Sequence, residues 1–170
     1  MSNYQVTLRA LLKRDKSLIY EWKKDSDLRK MLGTIYPISE IEHENWFEKK
    51  AVDSKLKTFV IELSNGEAIG LTGYNSLDLI NRNAEIFIFI AKGDHQGKGF
   101  GTVAMEEIIN FSFNHLNLHM IYLNVFSYNK RAIKLYEKLG FKVDGCLRES
   151  KYLNGVYYDN IIMSLLGNEE

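Results

Sequence analysis

The apolar positions change period several times along the chain, and each change marks an element. Val6, Leu8 and Ala10 alternate with Gln5, Thr7 and Arg9, which predicts a half-buried strand; Leu18, Ile19 and Trp22 then recur at helical intervals across Asp15 to Lys24. From Ser26 to Ala51 the pattern predicts two short helices broken near Gly33 to Pro37, the second starting at Ser39 with Glu42 three residues on as a capping box. Phe59 to Leu63 and Ala68 to Tyr74 flank Asn65-Gly66, a pair suited to the positive φ values of a type I′ hairpin turn. Asn83 to Ile90 carries Ala84, Ile86, Ile88 and Ile90 on one face and Phe87 and Phe89 on the other. It reads as a central strand covered from both sides, with Glu85 its one ionisable residue.

Gly99 to about Asn114 predicts an amphipathic helix with Ala104, Ile108 and Phe111 on its inner side. Met120 to Phe126 is the next strand, after which Asn129 caps a helix whose Ala132, Leu135, Tyr136 and Leu139 form one stripe before Gly140 ends it. Lys142 to Tyr152 and Val156 to Leu166 close the chain as a hairpin around Asn154-Gly155. The expectation is an α/β layer domain: a mixed central sheet of about six to seven strands flanked by helices, with a strand, helix, strand crossover in its middle. With 170 residues, a single proline at Pro37 and no linker or repeat, one domain over 1–170 is expected.

Charge narrows the partners. The 22 Lys and Arg cancel the 22 Asp and Glu, so no overall field draws in nucleic acid or an anionic membrane. Cys146 is the only cysteine, which excludes a disulfide within the chain and fits a reducing cytoplasm. The start, Met1-Ser2-Asn3-Tyr4-Gln5, has no export-signal pattern, and the longest apolar run, Ile86 to Ala91, is far short of the ~18 residues of a membrane span. His115 and His119 are four apart, but Leu116 stands where a zinc-binding helix motif needs Glu, so no metal is expected. Glu40, Glu42, Glu44 and Glu48 read as a solvated helix face, with an acidic rim for a cationic ligand as the alternative.

The segment that carries chemistry is Gln96-Gly97-Lys98-Gly99-Phe100-Gly101-Thr102, between the buried strand and the following helix. Glycines at a helix N-terminus expose successive backbone N–H groups and let a phosphate approach without a Cβ in the way. A Walker loop and a dinucleotide fingerprint both fail on spacing, because three residues and not four separate Gly93 from Gly97-Lys98 and the glycines run G-x-G-x-G.

Gln96-x-x-Gly99-x-Gly101 after a buried strand resembles the acetyl-CoA motif of the GNAT N-acetyltransferases, Gln/Arg-x-x-Gly-x-Gly/Ala. About thirty residues on, Asn129-x-x-Ala132-x-x-x-Tyr136-x-x-x-Gly140-Phe141 resembles the family's second motif. The likeness covers nearly the whole chain. It is nearest to the branch of ribosomal-protein N-terminal acetyltransferases and spermidine acetyltransferases, on Asn81-Arg82-x-Ala84-Glu85-Ile86, Gly145-x-Leu147-Arg148-Glu149, Asn154-Gly155 and Asp159.

The resemblance implies a GNAT fold whose sheet splays at the strands ending near Ile90 and Phe126, with acetyl-CoA as co-substrate. The backbone of Ile88, Phe89 and Ile90 would pair with the pantetheine arm, the N–H groups from Gln96 to Thr102 would hold the pyrophosphate, Asn129 would touch the cofactor, and Tyr136 would protonate the leaving thiolate. Independently, amine attack on a thioester needs a proton acceptor, and Glu85, alone on an apolar strand, is the candidate base. Each residue also has a plainer reading: Tyr136 as a core tyrosine, Asn129 as a cap only, Glu85 as a partner of Arg82 or Arg9 or as a residue that binds the amine. Tyr36, Glu44, Trp46, Tyr74 and Glu85 are the candidates for the acceptor pocket.

The expected activity is direct acetyl transfer to a primary amine: a protein α-amine, a polyamine or other small amine, or an amino sugar. The spermidine acetyltransferases carry a more acidic stretch where this chain has Leu32 to Pro37. A non-catalytic acyl-CoA sensor is the competing reading, and the closing hairpin leaves a homodimer open.

Overall fold

The computed structural model describes residues 5–91 and 93–168, so residues 1–4, read above for an export signal, lie outside the described residues. Seven strands form one sheet: β1 (Val6–Ala10), β2 (Thr58–Leu63), β3 (Ala68–Asp78), β4 (Asn83–Ile90), β5 (Met120–Phe126), β6 (Lys142–Leu153) and β7 (Val156–Leu166), in the order β1-β2-β3-β4-β5-β7-β6. All neighbours are antiparallel except β4 and β5, which the crossover helix α4 (Phe100–Asn110) joins in parallel.

Helices cover both faces. α1 (Asp15–Lys24) and α3 (Glu40–Val52) seat Ile19, Trp22, Trp46 and Phe47 on Val60, Leu71, Phe87 and Phe89. On the other face Phe100 and Ala104 of α4 meet Val6, Ile61, Leu63 and Ile69, while α5 (Lys130–Lys138) adds Tyr136 to a cluster with Ala84, Ile86, Met105, Ile108 and Met163. The short α2 (Ser26–Met31) is capped by Asp25, whose side chain accepts from the N–H groups of Asp27 and Leu28. The capping box on α3 forms as the sequence predicts: Ser39 accepts from Glu42 N–H at 3.2 Å and Glu42 from Ser39 N–H at 2.8 Å.

Three local expectations need correction. At the first hairpin Gly66 has φ +83 but Asn65 does not, and Gly66 N–H donates to Leu63, so the turn is type I followed by a left-handed glycine, with a bulge between Ile61 and Glu62. β3 runs on past Tyr74 to Asp78 through a bulge between Tyr74 and Ser76. The helix expected to reach Asn114 leaves α-geometry at Phe111 and finishes as a π-turn over Phe111–His115, where Ser112 bonds back to the Ile108 carbonyl at 2.7 Å and also to the Tyr74 hydroxyl at 2.7 Å.

Candidate active site

β4 and β5 pair only at Asn83, Ala84 and Glu85, opposite Met120, Ile121 and Tyr122, and then part. The crossover places α4 at the far end of β4 and the strand ends are held by different neighbours, β3 on one side and β7 on the other. The gap opens into a cavity of about 660 Å3 lined by Ile86 to Ile90, Leu123 to Phe126, the start of α4 and one face of α5. Ligand sites in open α/β sheets favour such a switch point at the carboxyl ends of strands.

The free edge of β4 has a definite polarity. Ala91 N–H donates to Ile69, and the Phe87 carbonyl accepts from Thr72 Oγ1 at 2.8 Å, so those residues turn their backbone toward β3. Alternation then turns the N–H and C=O of Ile88 and Ile90 toward the gap, where an extended ligand can add as a strand. The Ile90 carbonyl is held by Gln96 Nε2 at 3.1 Å, which ties the glycine loop to the strand end.

Gly97 and Gly99 have φ +85 and +87, a region that strains any residue with a Cβ. Gly99 is the N-cap of α4 and offers no side-chain cap, and the first turn holds no acidic residue. Among the described residues, the N–H groups of Gly97 to Gly101 find no acceptor, which leaves a row of donors at the positive end of an 11-residue helix. Facing them from α5 are Arg131, Lys134 and Lys138, all lining the cavity, with an Arg131 guanidinium nitrogen 3.8 Å from where a side chain on Gly97 would begin. Sequence reading missed these three, although their i, i+3, i+7 spacing between Asn129 and Gly140 was a visible signal.

Tyr136 lies on the α4 and α5 side of the sheet and is only 7% exposed. Burial pushes its phenol up to about 12. The described residues give its hydroxyl no hydrogen-bond partner. Glu85 shares its face of β4 with Phe87 and Phe89, the face covered by α1 and α3, so Tyr136 and Glu85 approach the gap from opposite sides. Glu85 pairs with neither Arg82 nor Arg9, which bind Asn117 and the carboxylates of Asp15 and Glu62. It accepts instead from Asn124 Nδ2 at 3.1 Å. Lys50 comes near from α3, donating to Asn75 at 3.0 Å and lying over the Phe87 ring; burial lowers its ammonium below the usual lysine range, with attraction to Glu85 opposing.

The remaining wall is α2. Leu28, Met31 and Leu32 line the cavity, and their backbone is strapped to the end of β5 and the last hairpin by Tyr128 donating to the Lys30 carbonyl at 2.5 Å and Lys151 to the Gly33 carbonyl at 2.6 Å.

The structure thus brings Glu85, Ile88, Phe89, Ile90, Gln96, Gly97, Gly99, Gly101, Thr102, Asn129 and Tyr136 to one cavity. Asn129 also caps α5, accepting from Ala132 N–H at 3.3 Å. Phe100 offers only its backbone, since its side chain is in the core, and Lys98 is exposed outside the lining. Four acceptor-side candidates do not line this cavity. Tyr74 is fully buried against Phe59 and Ser112; Trp46 covers the α1–α3 seam, stacked on His43 with Lys23 over its ring; Glu44 pairs with Lys16 at 2.5 Å; Tyr36 is 74% exposed beyond the cavity. No group of three or more His, Cys, Asp or Glu among the described residues is placed to hold a metal, and no helix among them is long and apolar enough to cross a membrane.

Residues 5–142 match the acetyltransferase (GNAT) domain family. The spermidine N(1)-acetyltransferase of Vibrio cholerae is 36% identical over 157 residues, 92% of this chain and 90% of that protein, and that of Escherichia coli K12 is 30% identical over 168 residues, 99% and 89%. A crystal structure of the Vibrio enzyme with CoA and spermine superposes with a TM-score of 0.88 at 36% identity, covering 96% of both chains. A dodecameric structure of the Vibrio enzyme gives 0.81 at 37% identity, covering 96% and 94%.

Proposed function

The chain belongs to the GNAT acetyltransferase family and is an acetyl-CoA-dependent N-acetyltransferase; from that premise we propose that it transfers the acetyl group directly to a cationic primary amine, a polyamine before the other classes, with Tyr136 and Glu85 at opposite mouths of the split between β4 and β5. The observation that carries the reading is that split, with a phenol and a carboxylate both lining the cavity it opens.

In this reading the diphosphate lies on the N–H groups at the start of α4, with Arg131, Lys134 and Lys138 taking the remaining phosphate charge. The pantetheine arm pairs with Ile88, which brings the thioester carbonyl into the gap. The amine enters past Leu28, Met31 and Phe87, and Glu85 binds the ammonium and takes one of its protons, directly or through water, which frees the lone pair that attacks the thioester carbonyl; the nitrogen's second proton passes to water after attack. As the tetrahedral intermediate collapses, Tyr136 donates to the departing sulfur; with its phenol up at about 12 it stays protonated across the working range. Cys146 is exposed on β6, outside the cavity lining, which supports transfer without an acetyl-enzyme.

The polyamine preference is supported by the names of the two relatives and by Glu85 being the one carboxylate among the described residues of the lining. The reading takes 1–170 as one domain in the cytoplasm, where Cys146 stays reduced. It takes the enzyme as self-associating: the edge strand β6 and its partner β7 expose Val143, Leu147, Tyr152, Val156 and Tyr157, and a relative forms dodecamers.

The test is thiol release from acetyl-CoA with spermidine, simple monoamines, amino sugars and peptides bearing free N-termini. Turnover with spermidine at a kcat/KM at least tenfold above the rest is expected. Preference for a neutral or peptide acceptor overturns the substrate class, and acetyl-CoA binding without turnover on any acceptor favours the sensor.

A further inference from the structure

Glu85 does not stand alone on its face of the sheet. Asn124 on β5 donates to Glu85 Oε1 at 3.1 Å, and Asn160 on β7 donates to Asn124 Oδ1 at 3.3 Å. The register makes this a row across three neighbouring strands: Glu85 stands opposite Tyr122, Asn124 is two residues further along β5, and Asn160 is two residues from Ile162, the partner of Asn124. Residues two apart on a strand share a face, so all three side chains lie on the acceptor face of the gap. The Asn160 amide oxygen is buried and has no hydrogen-bond partner among the described residues.

That orphan follows from the carboxylate. An ionised Glu85 only accepts, so Asn124 must turn its NH2 toward it and its oxygen away. Asn160 must then present its own NH2 to that oxygen, which leaves the Asn160 oxygen facing protein with nothing to bind. A buried acceptor is costly to leave unpaired, and the arrangement persists because every amide orientation is dictated from one end.

We infer that Asn124, oriented by Asn160, is a positioning residue that fixes the Glu85 carboxylate at the mouth of the gap. This rests on the acceptor-side role proposed for Glu85. Asn124 is exposed at the cavity wall and packs no core, so its replacement tests the hydrogen bond and not the fold. Lys50 from α3 and Tyr122 from β5 are the titratable groups that sense Glu85, and neither supplies a hydrogen bond to it.

The experiment measures kcat and KM for the amine and for acetyl-CoA in wild type, Asn124→Ala, Asn124→Asp, Asn160→Ala and the combinations with Glu85→Gln. Loss of the oriented donor lowers kcat/KM for the amine about tenfold in Asn124→Ala, with the KM for acetyl-CoA within twofold. Asn124→Asp keeps the size of the side chain but faces Glu85 with a second carboxylate, so it is the worse of the two. Asn160→Ala shows a smaller loss that vanishes in the Asn124→Ala background, and Asn124→Ala adds nothing once Glu85 is Gln. An Asn124→Asp variant as active as wild type, or full additivity of Asn124→Ala with Glu85→Gln, overturns the inference. If Glu85→Gln itself turns over like wild type, the role of Glu85 fails first and the inference with it.

Discussion

The carbonyl of Tyr136 accepts the N–H of Phe141 at 3.0 Å, and the two rings lie 5.9 Å apart. Gly140 N–H reaches back to Glu137, and Gly140 has φ +91. These are the two bonds and the apolar contact of a Schellman motif, so the spacing Tyr-x-x-x-Gly-Phe is a device that ends α5 and packs the phenol against the gap. Gly140→Ala forces a Cβ into the left-handed region and is expected to cost about 1–2 kcal/mol, with a drop in kcat as Tyr136 loosens. Thermal unfolding and steady-state kinetics on the same preparation check both; an unchanged kcat in a destabilised variant would separate the cap from the chemistry.

The cationic face of α5 predicts a selective loss. Arg131→Ala or Lys134→Ala is expected to weaken acetyl-CoA binding about five- to tenfold at low salt, and less at high salt. S-acetylpantetheine, which has no phosphate, should bind the variants and wild type alike. Calorimetry with both ligands makes the comparison.

At the other end of the molecule, Arg9 makes a two-pronged bond to Asp15 at 2.8 and 2.9 Å and also meets Glu62. Burial opposes the charged form of Asp15, but the Arg9 guanidinium and the Leu12 N–H prevail and hold the carboxyl below 3.8. A carboxyl lower in the folded than in the unfolded chain stabilises fully above the unfolded value and loses that contribution as pH falls through the folded one. Asp15→Asn is therefore expected to cost about 2 kcal/mol at pH 7, and the gap to wild type to narrow as pH falls through the carboxyl's lowered folded value. Urea unfolding at pH 3, 5 and 7 reads this directly.

Lys23 gives the same sign of pH slope from the opposite cause, a penalty on its charged form. It is 7% exposed with its ammonium 3.0 Å from the Trp46 ring centre, and burial, aided by repulsion from Lys50, lowers it to about 7. Between that value and the ordinary lysine range the unfolded chain binds more protons than the folded one, so this group makes stability rise with pH. Lys23→Met is expected to stabilise by about 1–2 kcal/mol at pH 6, after the lost cation–π contact is set against the relieved burial, and by less at pH 9. Equal effects at both values would contradict the assignment.

Much of the site was legible because its determinants are local. The glycines of the loop, the Asn129 cap and the Gly140 stop are backbone requirements written at fixed spacing, and β4 announced itself by two apolar faces. Tyr74 and Trp46 misled because an aromatic side chain in a strand or helix looks the same whether it meets a ligand or another core residue; the Ser112 hydroxyl that claims Tyr74 is 38 residues away. Asn124 and Asn160 were invisible for a related reason: their link to Glu85 depends on the register between β4, β5 and β7, which no short window contains. Asn65-Gly66 took a different turn from Asn154-Gly155, in which both residues have positive φ, because the extra residue Ile69 on β3, opposite the step from Ile61 to Glu62, shifts the register before the turn.

The most direct test of the account is a kinetic comparison of wild type with Tyr136→Phe, using the best amine acceptor, alongside calorimetric binding of acetyl-CoA. The phenol's absence should lower kcat at least a hundredfold, about 2.7 kcal/mol of transition-state stabilisation, while the affinity for acetyl-CoA stays within twofold. Turnover in the variant at the wild-type rate, or a loss explained wholly by weaker cofactor binding, would contradict a sulfur-facing donor at Tyr136 and with it the proposed route through the split sheet.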